Sequence, residues 1–259
     1  MIGLFDSGVG GLTVANAILK SLPGYDIVYF GDSARTPYGT KSRQTIQAYT
    51  RENICFLREK GVKIIVVACN TASSVLTPEL IEEAKMPVFE VITPAAQVAA
   101  QVSRTRSIGI IGTSGTIKSG IYEKTLKEIA PDVRIYSEAC PLLVSLVEEG
   151  WATKPETASI VKKYLLPLKS KQMDTLILGC THYPVLKELI ARKIGKKVTI
   201  VDSSEAVAAS VSEYLKAHPE VDAQLSKTSQ SRFYVSDITT QFEKVAQQIL
   251  KRPIQLEQA

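Results

Sequence analysis

The chain has 259 residues, 45% hydrophobic and 22% charged, enough for one large α/β unit or two domains with substantial cores. Its 31 Lys and Arg are scattered among 26 Asp and Glu, leaving a net charge of +5 and no basic stripe interleaved with aromatics, so no nucleic-acid partner is expected. No apolar stretch reaches the roughly 18 to 20 residues of a membrane span, and the opening MIGLFDSG carries no leader pattern, so no membrane association and a cytoplasmic location are expected.

Strands are predicted, in chain order, at residues 2–5, 26–30, 63–68, 87–91, 107–112, 133–137, 174–179, 197–201 and 232–236. Between most of them lie segments of helical period, such as GLTVANAILKSL and SIVKKYLLPLKS. Strands alternating with helices imply βαβ units and mainly parallel sheets. The expected fold class is α/β, built as two similar Rossmann-like lobes related by a pseudo-twofold with the active site in the crevice between them. The expected lobes are residues 1–92 with 202–259, and residues 93–201.

An internal repeat supports the two-lobe reading. Residues 64–74 read IIVVACNTASS and residues 175–185 read TLILGCTHYPV: an apolar run, a small residue, a cysteine, then polar residues able to open a helix. FDSG at 5–8 answers GTSG at 112–115, so two elements keep nearly the same separation in both halves. A continuous Val, Ile and Leu run reads as a strand buried on both faces. Cys69 and Cys180 are therefore expected at carboxyl ends of parallel strands, where open α/β sheets bind ligands.

The other two cysteines, Cys55 in QAYTRENICFLREK and Cys140 before PLLVSLVEEG, follow no strand end and are assigned to packing. With no CxxC and no close Cys/His spacing, neither a metal site nor a dithiol redox site is expected. DSGVGGLTV at 6–14 is neither a P-loop nor GxGxxG; it reads as a turn into a helix start whose free N–H groups attract anions. Thr113 to Thr116, Asn70 to Ser73, and Thr181 with His182 repeat that character. The loop GDSARTPYGTKS at 31–42 carries a fixed turn at Tyr38 and Gly39. Together these predict a cradle for a small, polar, anionic ligand.

A thiolate is both nucleophile and base. Two thiols from different lobes across one crevice suit proton removal from one face of a carbon acid and delivery to the other, which inverts configuration. Asp6 is placed to serve Cys69, and His182 to serve Cys180; His218, in LKAHPEV, reads as a surface residue. A cysteine hydrolase or a decarboxylase would leave one thiol without a role, and a solute-binding module would need neither.

FDSGVGGLTV, GDSARTPYGTKS, VVACNTAS and LILGCTHYP, in this order over nearly the whole chain, resemble the aspartate/glutamate racemase superfamily and in particular its glutamate racemase branch. The resemblance implies an isomerase that interconverts L- and D-glutamate without a cofactor, supplies D-glutamate for peptidoglycan, and forms a homo-oligomer, a dimer. It further implies that Cys69 acts on the D-enantiomer and Cys180 on the L-enantiomer, with Asp6 assisting the first thiol and His182 and Glu148 the second. Substrate contacts would fall on Asp6, Ser7, Tyr38, Gly39, Asn70, Thr71, Thr113, Ser114, Thr181 and His182. One departure is visible: Glu90, in PVFEVITPA, stands where the family more usually has glycine.

Overall fold

The computed structural model describes residues 1–259. Its strands are β1 (Ile2–Asp6), β2 (Ile27–Gly31), β3 (Ile64–Val67), β4 (Val88–Glu90), β5 (Ser107–Gly112), β6 (Arg134–Ala139), β7 (Thr175–Gly179), β8 (Thr199–Asp202), β9 (Arg232–Val235) and β10 (Leu256–Gln258). They form two sheets in which every pairing is parallel: β10-β9-β2-β1-β3-β4 and β6-β5-β7-β8. The nine predicted strands are present. β10, with the sequence LEQ, is an addition: three residues long and mostly exposed at the sheet edge, it has no apolar run to betray it.

The central strands β1, β3, β5 and β7 are buried along their full length, as parallel strands with helices on both faces must be. Alternation splits their side chains between two cores. Ile64 and Val66 join the cluster that continues into the second lobe, whereas Ile65 and Val67 join a smaller one under helix Arg43–Glu59. That helix starts at Ser42, whose side chain accepts from Thr45 N at 3.2 Å. It buries Ile46, Thr50, Asn53, Ile54 and Leu57, which places Cys55 on the opposite, exposed face. The assignment of Cys55 to packing is therefore corrected by helix phase; Cys140 directly follows β6, contrary to the expectation that it follows no strand end, but its packing role holds, since it is fully buried in the core.

The chain leaves the first sheet after β4, entering helix Ile92–Val102, and returns after β8 through helix Ser203–Ala217. These two crossover helices pack on each other, and Ser203–Ala217 also lies along helix Leu12–Ser21. Both begin on a carboxylate. Glu90 accepts from Ile92 N at 2.5 Å and Thr93 N at 2.8 Å, and Asp202 accepts from Ser204 N at 3.0 Å. Each meets N–H groups that a helix start leaves without intrahelical partners and adds negative charge at the positive end of the dipole. Glu90 is thus a helix cap at the junction between the two sheets. Replacing Glu90 by Ala should lower unfolding free energy by about 1 kcal/mol, read from the urea midpoint; an unchanged midpoint would contradict this capping role.

Candidate active site

Because both sheets are parallel, the carboxyl ends of β1 and β3 in one lobe and β5 and β7 in the other open toward the same crevice. Asp6 ends β1, Cys69 lies two residues past β3, Thr113 follows β5, and Cys180 follows β7. A small, nearly closed cavity is lined from both sides by Ser7, Tyr38, Gly39, Cys69, Asn70, Thr71, Thr113, Cys180, Thr181 and His182, with Pro37 and Val144 completing the wall. A larger depression of about 400 Å³ opens beside helix Leu12–Ser21, but it contains neither thiol nor any of the expected substrate contacts. Size does not locate the chemistry here.

Eight of the ten expected substrate contacts line the small cavity. Asp6 lies outside its wall, behind the β1 turn, and Ser114 is half-buried at the first position of helix Ser114–Ser119, also outside the wall. The two cysteine turns also differ locally. Cys69 caps the short helix Asn70–Ser73, its sulfur accepting from Ala72 N at 3.5 Å. After Cys180 the chain instead makes a 3-10 turn, Tyr183–Leu186, before helix Lys187–Ile194 begins. Pro184 at the second position of this turn explains the difference, since it lacks the N–H that would carry a helix back to Cys180.

In the first lobe, the Cys69 thiol faces Ser7 Oγ at 3.7 Å. Burial pushes this thiol up to about 12, and the negative charge of Asp6 adds to the effect. Asp6 makes no hydrogen bond to the sulfur. Its Oδ2 accepts from Gly8 N at 3.0 Å and Gly11 N at 2.9 Å, and its Oδ1 accepts from Thr181 Oγ1 at 3.2 Å across the crevice. Burial raises the Asp6 carboxyl above its usual range, while the His182 charge and these donors draw it partly back.

In the second lobe, Cys180 Sγ lies 3.6 Å from His182 Nδ1, and His182 Nε2 lies 2.7 Å from Glu148 Oε1. Burial alone would lower the His182 pKa, but the hydrogen bonds and charges of Cys180 and Glu148 raise it well above the ordinary histidine value. Glu148 ends helix Leu142–Glu148 and stands behind the imidazole rather than in the cavity wall. Sulfur, imidazole and carboxylate form one chain along which a proton can move. Gly10 leaves room for it, since a Cβ there would lie 2.5 Å from His182 Nδ1.

Hydroxyl and amide groups join the lobes around the thiols. Thr71 Oγ1 and Thr113 Oγ1 are 2.9 Å apart across the crevice, and Thr116 Oγ1 closes the triangle at 3.3 and 3.0 Å. Thr116, part of the predicted helix-start cradle but not one of the ten expected substrate contacts, lies three residues after the capping Thr113. Asn70 accepts from Tyr122 OH at 2.7 Å and donates to Ser203 Oγ at 3.4 Å. The Tyr38 phenol, which donates to Asp32 and accepts from Asn53 Nδ2 at 3.0 Å, is held by its own lobe. Burial and the Asp32 carboxylate push the phenol far above its usual value, so it remains a neutral donor. His218 is away from all this, stacked on Tyr214 with ring centroids 3.9 Å apart.

Two parallel α/β lobes that turn buried thiols toward one small polar cavity are the frame of an enzyme that moves protons. The Asp/Glu/hydantoin racemase pattern matches residues 11–211. A glutamate racemase of Geobacter metallireducens is 45% identical over 249 residues, covering 96% of this chain and 92% of the relative. The crystal structure of a Bacillus anthracis glutamate racemase superposes with a TM-score of 0.93 at 39% identity, covering 100% of this chain and 97% of that one. The Francisella tularensis glutamate racemase, solved with D-glutamate, gives a TM-score of 0.91 at 38% identity, covering 100% and 96%. The chain belongs to the Asp/Glu/hydantoin racemase family, and it is an amino-acid racemase.

The environments of the cysteines predict their reactivity in the ligand-free protein. Each pH unit below a thiol's pKa costs about tenfold in thiolate. At pH 7.5 iodoacetamide should therefore modify exposed Cys55 and spare buried Cys69, whose thiol is pushed up to about 12. Peptide mass mapping checks this; equal labelling of the two would contradict the assigned environment.

Proposed function

We propose that the chain interconverts L- and D-glutamate by two-base proton transfer between Cys69 and Cys180. The observation that carries this reading is the pair of buried thiols on opposite walls of one cavity, each with its own set of partners. One thiolate takes the α-proton from one face of the substrate, and the opposite thiol gives a proton to the other face. The electron pair left on the α-carbon ends in the new C–H bond, so no oxidant or reductant is consumed. The reverse direction exchanges the two roles.

The partners divide the work unequally. With its thiol pushed up to about 12, Cys69 enters the ligand-free site as a proton donor. On the other wall, Cys180 with His182 and Glu148 supplies the proton acceptor, which suits removal of the α-proton from the L-enantiomer. Asp6 assists Cys69 through its charge, which helps to keep the proton on this thiol for delivery in the L-to-D direction. Ser7, Tyr38, Gly39, Asn70, Thr71, Thr113, Thr181 and His182 surround the substrate, with Ser114 at the rim. Their hydroxyls and N–H groups meet the charge that develops on the α-carboxylate as the proton leaves.

Glutamate as the substrate is supported by relatives of that name at 41 to 51% identity over most of the chain, and by neighbours solved with D- and with L-glutamate. The lobe division that we infer, 1–92 with 202–259 against 93–201, puts the two thiols on separate bodies able to close on the substrate. We place the enzyme in the cytoplasm, as a homodimer supplying D-glutamate to peptidoglycan synthesis; no helix is long and apolar enough to cross a membrane.

Replacing Cys69 or Cys180 by Ala should each cut interconversion by about a hundredfold or more, as loss of a general acid or base does. Stability should change by only about 1 kcal/mol, the scale of a small buried truncation. Optical rotation of glutamate solutions and urea midpoints measure the two effects. Near-normal turnover in either variant would reject the two-base scheme.

A further inference from the structure

Helix Leu142–Glu148 ends in a way that leaves one of its carbonyls to the other lobe. Glu149 N bonds Ser145 O at 2.9 Å, Gly150 N bonds Val147 O at 2.9 Å, and Trp151 N bonds Leu146 O at 2.7 Å. This is a Schellman ending with Gly150 in the left-handed region at φ +71°. It satisfies the carbonyls of residues 145, 146 and 147 but not that of Glu148. The donor to Glu148 O is Gln241 Nε2, at 3.0 Å, from the start of helix Thr240–Leu250. A Cβ on Gly150 would lie 3.1 Å from this nitrogen, so the turn is open to the amide because Gly150 has no side chain. On its other side Glu148 meets the β1 turn, where a Cβ on Gly8 would lie 2.7 Å from Glu148 Oε1.

We infer that Gln241 is a positioning residue for racemisation: by capping the Glu148 carbonyl from the opposite lobe, it holds the Glu148 carboxylate against His182 and so sets the proton relay behind Cys180. This rests on the role proposed above for Cys180, His182 and Glu148. Gln241 does not line the cavity and touches no substrate. It acts at the last residue of a helix of only seven residues, where a freed carbonyl lets the terminal turn unwind and swings the carboxylate away. The link also runs between lobes, so the relay is complete only while the helix Thr240–Leu250 stays docked on the second lobe.

His182 reports on this directly. The titratable groups that face it are Cys180 on its own turn, Glu148 on helix Leu142–Glu148, Asp6 at the end of β1 and Cys69 across the cavity. Substituting Gln241 changes none of them chemically. The chain has only two histidines, and His218, at the C-terminal end of helix Ser203–Ala217, serves as an internal control.

The test compares wild type with Gln241→Met, which keeps the reach and removes the donor, and with Gln241→Asn, which keeps the amide but falls one methylene short. Imidazole NMR signals are followed against pH, together with kcat and KM for glutamate. In both variants the His182 midpoint should fall toward the ordinary histidine value while His218 stays put. The turnover should drop about threefold to tenfold, the ratio that one net hydrogen bond represents, with KM changed less than twofold. An unmoved His182 midpoint overturns the inference, as does a rate loss without a midpoint shift, which would make Gln241 only a structural contact. Because the titration needs no substrate, a wild-type protein inert toward glutamate would count against the proposed reaction and not against this positioning role.

Discussion

The buried Asp6 carboxylate is the constraint on which the site depends. A fully enclosed carboxylate persists only if its lone pairs find donors. Two come from its own β1 turn, Gly8 and Gly11, and the third is Thr181 from the turn that carries Cys180. Meeting that requirement fastens the β1 end of one lobe to the β7 end of the other. The facing of Cys69 and Cys180 follows from it, as does the close fit of Gly10 under His182. The threonine triangle and the Asn70 bond to Tyr122 close the same seam at the β3 and β5 ends.

The repeated lobes give similar frames but not similar electrostatics. Near Cys69 the neighbours are a serine hydroxyl, a backbone N–H and an anion that disfavours the thiolate. Near Cys180 they are an imidazole raised well above its ordinary pKa and the carboxylate behind it. The two walls therefore differ in the charged groups beside their thiols: a carboxylate alone near Cys69, an imidazole backed by a carboxylate near Cys180. The helpers also sit on different supports: Asp6 on a strand end inside its lobe, and Glu148 on a short helix that borrows its final hydrogen bond from across the interface.

Much of this was legible in the sequence because parallel strands buried on both faces must be continuous apolar runs, and Cys69 and Cys180 follow two of them within two residues. The turns at Asp6, Tyr38 and Thr113 were legible through their glycines, proline and hydroxyls. Three features were not. β10 pairs at an edge and needs no apolar signature, and Cys55 falls on the solvent side of a helix whose phase is set by packing against β1 and β2. Gln241 lies 93 residues from the carbonyl that it caps, with nothing local to mark it. The motif repeat also overstated the likeness of the cysteine turns, because Pro184 diverts the second into a 3-10 turn.

In the proposed reaction two thiols, each able to carry one proton, work on opposite faces of one carbon. The most direct test follows L-glutamate in deuterated water, with mass and configuration read before a tenth of it has turned over. Newly formed D-glutamate should carry deuterium at the α-carbon while the remaining L-glutamate stays unlabelled. Equal early labelling of both enantiomers, or inversion without labelling, would contradict the account.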